Sequence, residues 1–139
     1  MPIIDASIIV KLCIEEAGWE AARAAVGRMT HVSAPDHALA EVGEVLTRKA
    51  RMGQATMGQV AAAMEAIARD IEFVRIGPLM RDAMILSLET GASVYDCLYV
   101  VAAKQGETKL MTDDRRLIKT LQDTRFAPLL IPLDSSSGP

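Results

Sequence analysis

The stretch "PIIDASIIVKLCIEE", residues 2–16, decides the fold. Its first residues, "PIID" (2–5), form a short apolar strand that closes on Asp5. From Ala6 the spacing turns helical, and "ASIIVKLCIEE" (6–16) reads as a helix. A strand that runs through an acid straight into a helix opens a strand–helix unit, not a hairpin.

The same alternation continues outward. "GWEAARAAVGRM" (18–29) reads as a second helix, with Trp19, Ala22, Val26 and Met29 at helical spacing. "HVSAP" (31–35) is a short strand stopped by Pro35. "DHALAEVGEVLTRKARMG" (36–53) is a helix with Asp36 as expected N-cap and an apolar stripe of Leu39, Val42, Val45 and Leu46. Basic Arg48, Lys49 and Arg51 fill its last turn, where the helix dipole favours them. "TMGQVAAAMEAIARD" (56–70) is amphipathic, and "IEFVRI" (71–76) alternates as a strand near an edge does. "GPLMRDAMILSLETG" (77–91) is a helix with Pro in its first turn and Gly past its end. "GASVYDCLYVVAAKQG" (91–106) carries a seven-residue apolar run, Cys97 to Ala103, entered through Ser93 as N-cap and closed by Gly106. "TKLMT" (108–112) is a strand, "DDRRLIKTLQDT" (113–124) a helix and "LLIPL" (129–133) a last strand.

Strands separated by helices, too far apart for hairpins, imply a parallel sheet of about four or five strands covered on both faces, a three-layer α/β/α sandwich. The length of 139 residues fits one domain over 1–134, followed by a polar tail at 135–139 that is either disordered or foreign to the native chain. Half the residues are apolar and only 4% are aromatic, so the core is built from Ala, Val, Ile, Leu and Met. The net charge of −3 argues against a protein that coats nucleic acid electrostatically, but not against one that cuts it with acidic groups. Cys13 and Cys97 form no C-x-x-C pair and read as two buried free thiols in a reducing cytoplasm. "MPIID" shows no basic or apolar leader, and no apolar run reaches the ~18 residues of a membrane span. The expected location is cytoplasmic, with no membrane partner.

In parallel sheets, ligands bind beyond the carboxyl ends of the strands. Asp5 closes the first strand, and Asp113 and Asp114 follow "KLMT". Helix capping explains any one of them. Glu41 and Asp96, each in the N-terminal part of a helix, are candidates to join them at that edge. Glu41 shares a face with Glu44. For Asp96 the competing explanation is an acid favoured by the helix dipole. Several carboxylates converging on one pocket repel one another, and a divalent cation removes that cost. Oxygen-only ligands point to magnesium or manganese rather than zinc, and such an ion in an open cleft suits phosphodiester hydrolysis. His31 and His37 read as ordinary surface or packing residues. Arg48, Lys49, Arg51, Arg115, Arg116 and Lys119 either line an RNA path or form solvated faces, with Arg115 and Arg116 favoured for backbone contact.

Four stretches in series resemble a known family: "IIDASIIVKLCIEE", "APDHALAEVGEVLTRKARMG", "SVYDCLYVVAAKQG" and "KLMTDDRRL". The chain resembles PIN-domain proteins, and among them the VapC-type toxin ribonucleases of toxin–antitoxin systems, from residue 2 to about residue 133. The resemblance assigns the four acids to Asp5, Glu41, Asp96 and Asp114, as catalytic residues and as ligands of Mg2+ or Mn2+. It departs at Asp113, where relatives carry a small residue, which leaves Asp113 open as a rival ligand to the favoured Asp114. It departs again at Glu44, where relatives often carry Asn, and "IIVKL" lacks their Trp. Ser7 and Thr112 match hydroxyl positions that orient the acids or the water. The implied activity is endoribonuclease cleavage by a metal-activated water, leaving a 5′-phosphate and a 3′-hydroxyl. The implied partners are RNA, a cognate antitoxin and a second copy in a homodimer. Met52, Met57 and Met64 offer an adaptable surface for the antitoxin, though core packing explains them equally well. Two rivals stand beside this reading. One is a receiver-like phosphoacceptor domain, which needs a Lys after the last strand where this chain has Asp134. The other is a non-catalytic binding protein of the same fold. No P-loop motif or zinc-ligand cluster is present.

Overall fold

A computed structural model of the chain describes residues 1–134, and the polar tail expected at 135–139 lies outside the described residues. Five strands form one sheet: β1 (Ile3–Ile4), β2 (Val32–Pro35), β3 (Ile71–Val74), β4 (Leu110–Thr112) and β5 (Leu130–Pro132). All neighbours pair in parallel, in the order β3-β2-β1-β4-β5. The expected edge character of "IEFVRI" holds, because β3 is one of the two edges.

Among the described residues seven helices connect the strands: α1 (Ala6–Cys13), α2 (Trp19–Gly27), α3 (Ala38–Arg51), α4 (Met57–Asp70), α5 (Met80–Thr90), α6 (Val94–Gln105) and α7 (Arg115–Leu121). Helices α1, α2, α3 and α4 pack against one another, and α5 pairs with α6. The crossovers from β1 to β2 and from β2 to β3 step one way across the sheet, and that from β3 to β4 steps back. Right-handed connections then put the two helix groups on opposite faces, which gives the three layers.

Local chemistry explains where the elements begin and end. Thr56 and Gln59 exchange side-chain and backbone hydrogen bonds in a capping box that starts α4. Gly91 ends α5 in the left-handed conformation, at φ 81°. Pro78 sits in a 3₁₀ turn over Gly77–Leu79 rather than in the first turn of one continuous helix. A second 3₁₀ turn, Ala127–Leu129, precedes β5. One expected cap differs. Asp36 does not cap α3; its Oδ1 accepts from the Ile76 N–H at 3.3 Å, tying the end of β2 to the residues after β3. Gly106 closes α6 as expected, with an ordinary φ of −80°, and the left-handed residue is its neighbour Glu107.

The core runs from Ile3 and Ile4 through Ile8, Ile9 and Val10 to Val42, Leu46, Leu110, Leu117 and Leu121. Helix α6 is its axis. Cys97 to Ala103 are all buried, and α6 touches β1, β2 and β4. At roughly 1.5–3 kcal/mol for each large aliphatic side chain buried, α6 is a principal source of stability. It enters the core from the carboxyl edge of the sheet, which delivers Asp96 there. Cys97 is buried as expected, whereas Cys13 is only partly so. Burial pushes both thiols up to about 11, so they stay protonated and unreactive.

Candidate active site

The sheet order places its switch point between β1 and β4, where chain connections leave in opposite directions. Ile4 pairs with Met111, so Asp5 stands beside Thr112 just past the carboxyl ends of both strands. Four helices begin around this edge, and each carries an acid in its cap or first turn. Asp5 caps α1, Glu41 lies in the first turn of α3, Asp96 in that of α6, and Asp114 caps α7. Capping and site placement are thus not alternatives: Asp5 accepts from the Ile8 N–H at 3.3 Å, and Asp114 from those of Arg116 and Leu117 at 3.1 Å.

Asp5 is the buried centre of the group, only 5% exposed. The Ser7 hydroxyl donates to its Oδ1 and the Thr112 hydroxyl to its Oδ2. Each hydroxyl in turn accepts a backbone N–H, Ser7 from Asp113 at 3.0 Å and Thr112 from Asp114 at 2.9 Å. The two hydroxyls therefore relay the polarity of the β4–α7 turn into one carboxylate. Among the described residues no basic side chain pairs with Asp5. Burial raises its carboxyl from 3.8 to about 6; the hydroxyl and Ile8 bonds oppose the rise, and the Asp114 charge adds to it. Asp96 is also raised, first by burial and then by Asp114 and Glu41, with Ser93 and Arg116 opposing. Asp114 thus acts on both Asp5 and Asp96, and Glu41 on Asp96, which links the four acids in one electrostatic group.

Glu41 is held by Tyr99, with His37 alongside. The Tyr99 hydroxyl donates to its Oε1 at 2.5 Å, and His37 Nε2 lies 3.6 Å from the same oxygen. Burial and the bond to Glu41 push the Tyr99 phenol far above its ordinary value, so it remains a donor. His37 Nε2 donates to the Tyr95 carbonyl at 2.9 Å, and its ring rests on Tyr99 with centroids 4.5 Å apart. His37, expected as an ordinary surface or packing residue, lies beside a site acid, and Tyr99 was not singled out from sequence. The available signal for His37 is its position four residues before Glu41, one helical turn.

The two acids of the β4–α7 turn separate clearly. Asp113 is neutralised by Lys11 at 3.4 Å and Arg115 at 3.0 Å, whereas Asp114 is the one coupled to Asp5 and Asp96. Lys11 is a second residue that sequence reading passed over. It is nearly buried, and its Nζ also meets Glu16 at 3.2 Å. Glu44 is exposed and is absent from the influences on Asp96. Arg115 and Arg116 are exposed; Arg115 is bound to Asp113 and the Leu133 carbonyl, which leaves Arg116 as the cation nearer Asp96.

Among the described residues no group of three or more His, Cys, Asp or Glu side chains is arranged to hold a metal ion as it stands. The donor chemistry nonetheless fits a hard divalent cation. Every donor is an oxygen, and the buried carboxylate at the centre lacks a cationic partner.

A family model described as the PIN domain matches residues 3–121. Ribonuclease VapC3 of Pyrobaculum aerophilum is 29% identical over 133 residues, 94% of this chain and 98% of the relative. Ribonuclease VapC3 of Mycobacterium tuberculosis is 34% identical over 118 residues, 84% of this chain and 85% of the relative. A crystal structure from Pyrobaculum aerophilum superposes with a TM-score of 0.70 at 19% identity, covering 95% of this chain and 83% of that one. A toxin–antitoxin complex from Klebsiella pneumoniae gives a TM-score of 0.59 at 14% identity over 94% of this chain and 96% of the other, a likeness of fold. With the family match spanning most of the sheet and all four acids, this chain belongs to the PIN domain family.

Proposed function

We propose that this chain is a metal-dependent endoribonuclease, the toxin of a type II toxin–antitoxin system, that hydrolyses RNA phosphodiester bonds. One observation carries the reading: four helices each present an acid at the carboxyl edge of the sheet, where the Asp114 charge adds to the raised carboxyls of Asp5 and Asp96, and the Glu41 charge to that of Asp96. The relatives named as ribonucleases align along most of the chain and support the same activity. Asp5, Asp96, Asp114 and Glu41 are the residues that would hold a divalent metal ion, Mg2+ or Mn2+. When bound, such an ion activates a water and offsets charge at phosphorus.

The chain's own residues do the rest. Ser7 and Thr112 fix both oxygens of Asp5. Tyr99 fixes Glu41. Lys11 and Arg115 hold Asp113 away from the group, so that Asp114 is the working acid of the pair. Arg116, exposed near Asp96, meets the RNA backbone, a contact that positions substrate and carries no sequence code.

The protein partners follow from the same reading. The antitoxin assignment is supported by the likeness to a toxin–antitoxin complex and by Met52 and Met57, both exposed; Met64 packs against the core instead. A second copy of the chain is the proposed partner of the exposed Met84, Ile85 and Leu88 on α5. No single helix among the described residues is long and apolar enough to cross a membrane, and we place the protein's work in the cytoplasm.

The test is cleavage of a labelled single-stranded RNA in chelator, in magnesium and in manganese. Cleavage that requires the ion, leaves a 5′-phosphate and disappears in a folded Asp5→Asn variant is the expected result. An Asp5→Asn protein that cuts at the normal rate overturns the assignment.

A further inference from the structure

The chain has only two tyrosines, and both lie on α6 within one turn of Asp96. Tyr99 is committed to the core and to Glu41. Tyr95 is its opposite. It directly precedes Asp96, and 64% of it is exposed. Among the described residues its hydroxyl makes no hydrogen bond. Adjacent helical residues point about 100° apart, so the Tyr95 ring and the Asp96 carboxylate look onto adjoining sectors of the same helix end.

The ring is also backed from inside. His37 stacks on Tyr95 with centroids 6.4 Å apart and planes at 29°. His37 is itself fixed by its bond to the Tyr95 carbonyl and by packing on Tyr99. Its side chain is 7% exposed, and its Nδ1 is buried without a hydrogen-bond partner among the described residues. The histidine therefore backs the Tyr95 ring with its own, while its Nε2 holds the Tyr95 carbonyl. The result is a cluster of three rings, in which His37 stacks on Tyr95 and rests tilted at 46° on Tyr99, and whose outermost ring faces solvent beside the acids. An aromatic face held in this way accepts the face of a nucleobase whatever its identity. Arg116, exposed at the start of α7, is a cation close enough to Asp96 to lower its carboxyl.

We propose that Tyr95 is a substrate-binding residue, a stacking platform for an unpaired base of the RNA next to the scissile phosphate. The preferred substrate is accordingly RNA whose bases are free to unstack, in single strands or loops rather than in duplex. The proposal rests on the ribonuclease reading of the site and specifies what that site selects.

The experiment uses a short single-stranded RNA in which one 2-aminopurine is moved stepwise across the mapped cleavage position. Binding is followed by fluorescence with Asp5→Asn protein, which holds RNA without cutting it. One position beside the cleavage site should be quenched on binding. That quenching should vanish in Tyr95→Ala and persist in Tyr95→Phe and Tyr95→Trp. Affinity for the single strand should fall roughly 5- to 100-fold in Tyr95→Ala. An abasic nucleotide at the same position should weaken binding by the unaltered Tyr95 surface and have no further effect in Tyr95→Ala. Tyr95→Ala that keeps both quenching and affinity overturns stacking, as does Tyr95→Phe that loses as much as Tyr95→Ala. Cleavage by the protein with Asp5 intact separates the two claims. If it cuts but Tyr95→Ala cuts equally well, stacking alone fails. If the unaltered chain neither cuts nor binds RNA, the ribonuclease reading fails and takes stacking with it.

Discussion

Replacing Asp5 by Asn should uncouple stability from activity, with a pH signature that isolates the burial of this one carboxylate. In the folded chain the Asp5 carboxyl titrates at about 6 against an ordinary 3.8, with burial as the main cause. At about 1.4 kcal/mol per pH unit, ionised Asp5 lowers folding stability by about 3 kcal/mol. The folded state holds the proton more tightly than the unfolded one. Below pH 4 Asp5 is protonated in both states and the burden is absent; it grows from about pH 4 to pH 6 and is complete above. Asn carries no charge at any pH, so the variant escapes the burden. It incurs a smaller, pH-independent cost, because the Ser7 and Thr112 hydroxyls both aim protons at Asp5 and one of them must face an amide N–H₂. A mismatch of that kind costs about 1 kcal/mol. In chelator, Asp5→Asn should therefore be slightly less stable than the unaltered chain at pH 4. It should be more stable by about 2 kcal/mol at pH 7.5. Urea unfolding followed by circular dichroism at five pH values between 4 and 8 measures both. Magnesium should then raise the stability of the unaltered chain at pH 7.5, by about 2.7 kcal/mol at a hundredfold excess over Kd, and leave Asp5→Asn where it was. A stability difference between the two proteins that does not change with pH would refute the reasoning.

The other expectations concern the residues around Asp5. Asp114→Asn should lower RNA cleavage on the order of a hundredfold or more, whereas Asp113→Asn, whose charge is already met by Lys11 and Arg115, should keep most of it; equal losses in initial-rate assays would show the division of labour to be wrong. Tyr99→Phe removes the donor to Glu41 and should cut activity about tenfold while costing no more than about 1.5 kcal/mol of stability. Unchanged turnover, set against a melting curve, would leave Tyr99 a packing residue. Lys11→Met should destabilise by about 1–2 kcal/mol, since Glu16 retains Lys49 and Asp113 retains Arg115. A loss above about 4 kcal/mol in urea would mean that those secondary pairs do not compensate.

The alternation of apolar strands with amphipathic segments was legible throughout, because each strand and each helix is written in a short local pattern of its own residues. Every strand found was expected from its own residues, and only the ends moved. The acids were legible for a related reason: a residue just past a strand, or in the first turn of the next helix, is carried to the carboxyl edge by the architecture itself. The partners of those acids were not legible in the local pattern: the family resemblance alone pointed to Ser7 and Thr112, and nothing pointed to Tyr99. Tyr99 lies 58 residues from Glu41, and Thr112 lies 107 from Asp5. No local periodicity encodes a contact between side chains on separately placed elements. Asp36 shows the same limit from the other side. Its sequence position suits a cap, but the neighbouring strand end supplied an N–H that competed successfully for its carboxylate. Lys11 was hidden by type, since lysine is almost never expected inside a core and only its two acidic neighbours make burial tolerable.

Helix α6 has no solvent-facing stripe over Cys97–Ala103. A segment enclosed on all sides has no private route to melting, and its amides should exchange with deuterium only when the whole molecule opens. Asp96 rides on that segment's first turn. Heat inactivation should therefore track global unfolding along a single curve, without a partly folded population that has lost the site and kept the sheet, and residual RNA cutting becomes a direct gauge of how many molecules remain native.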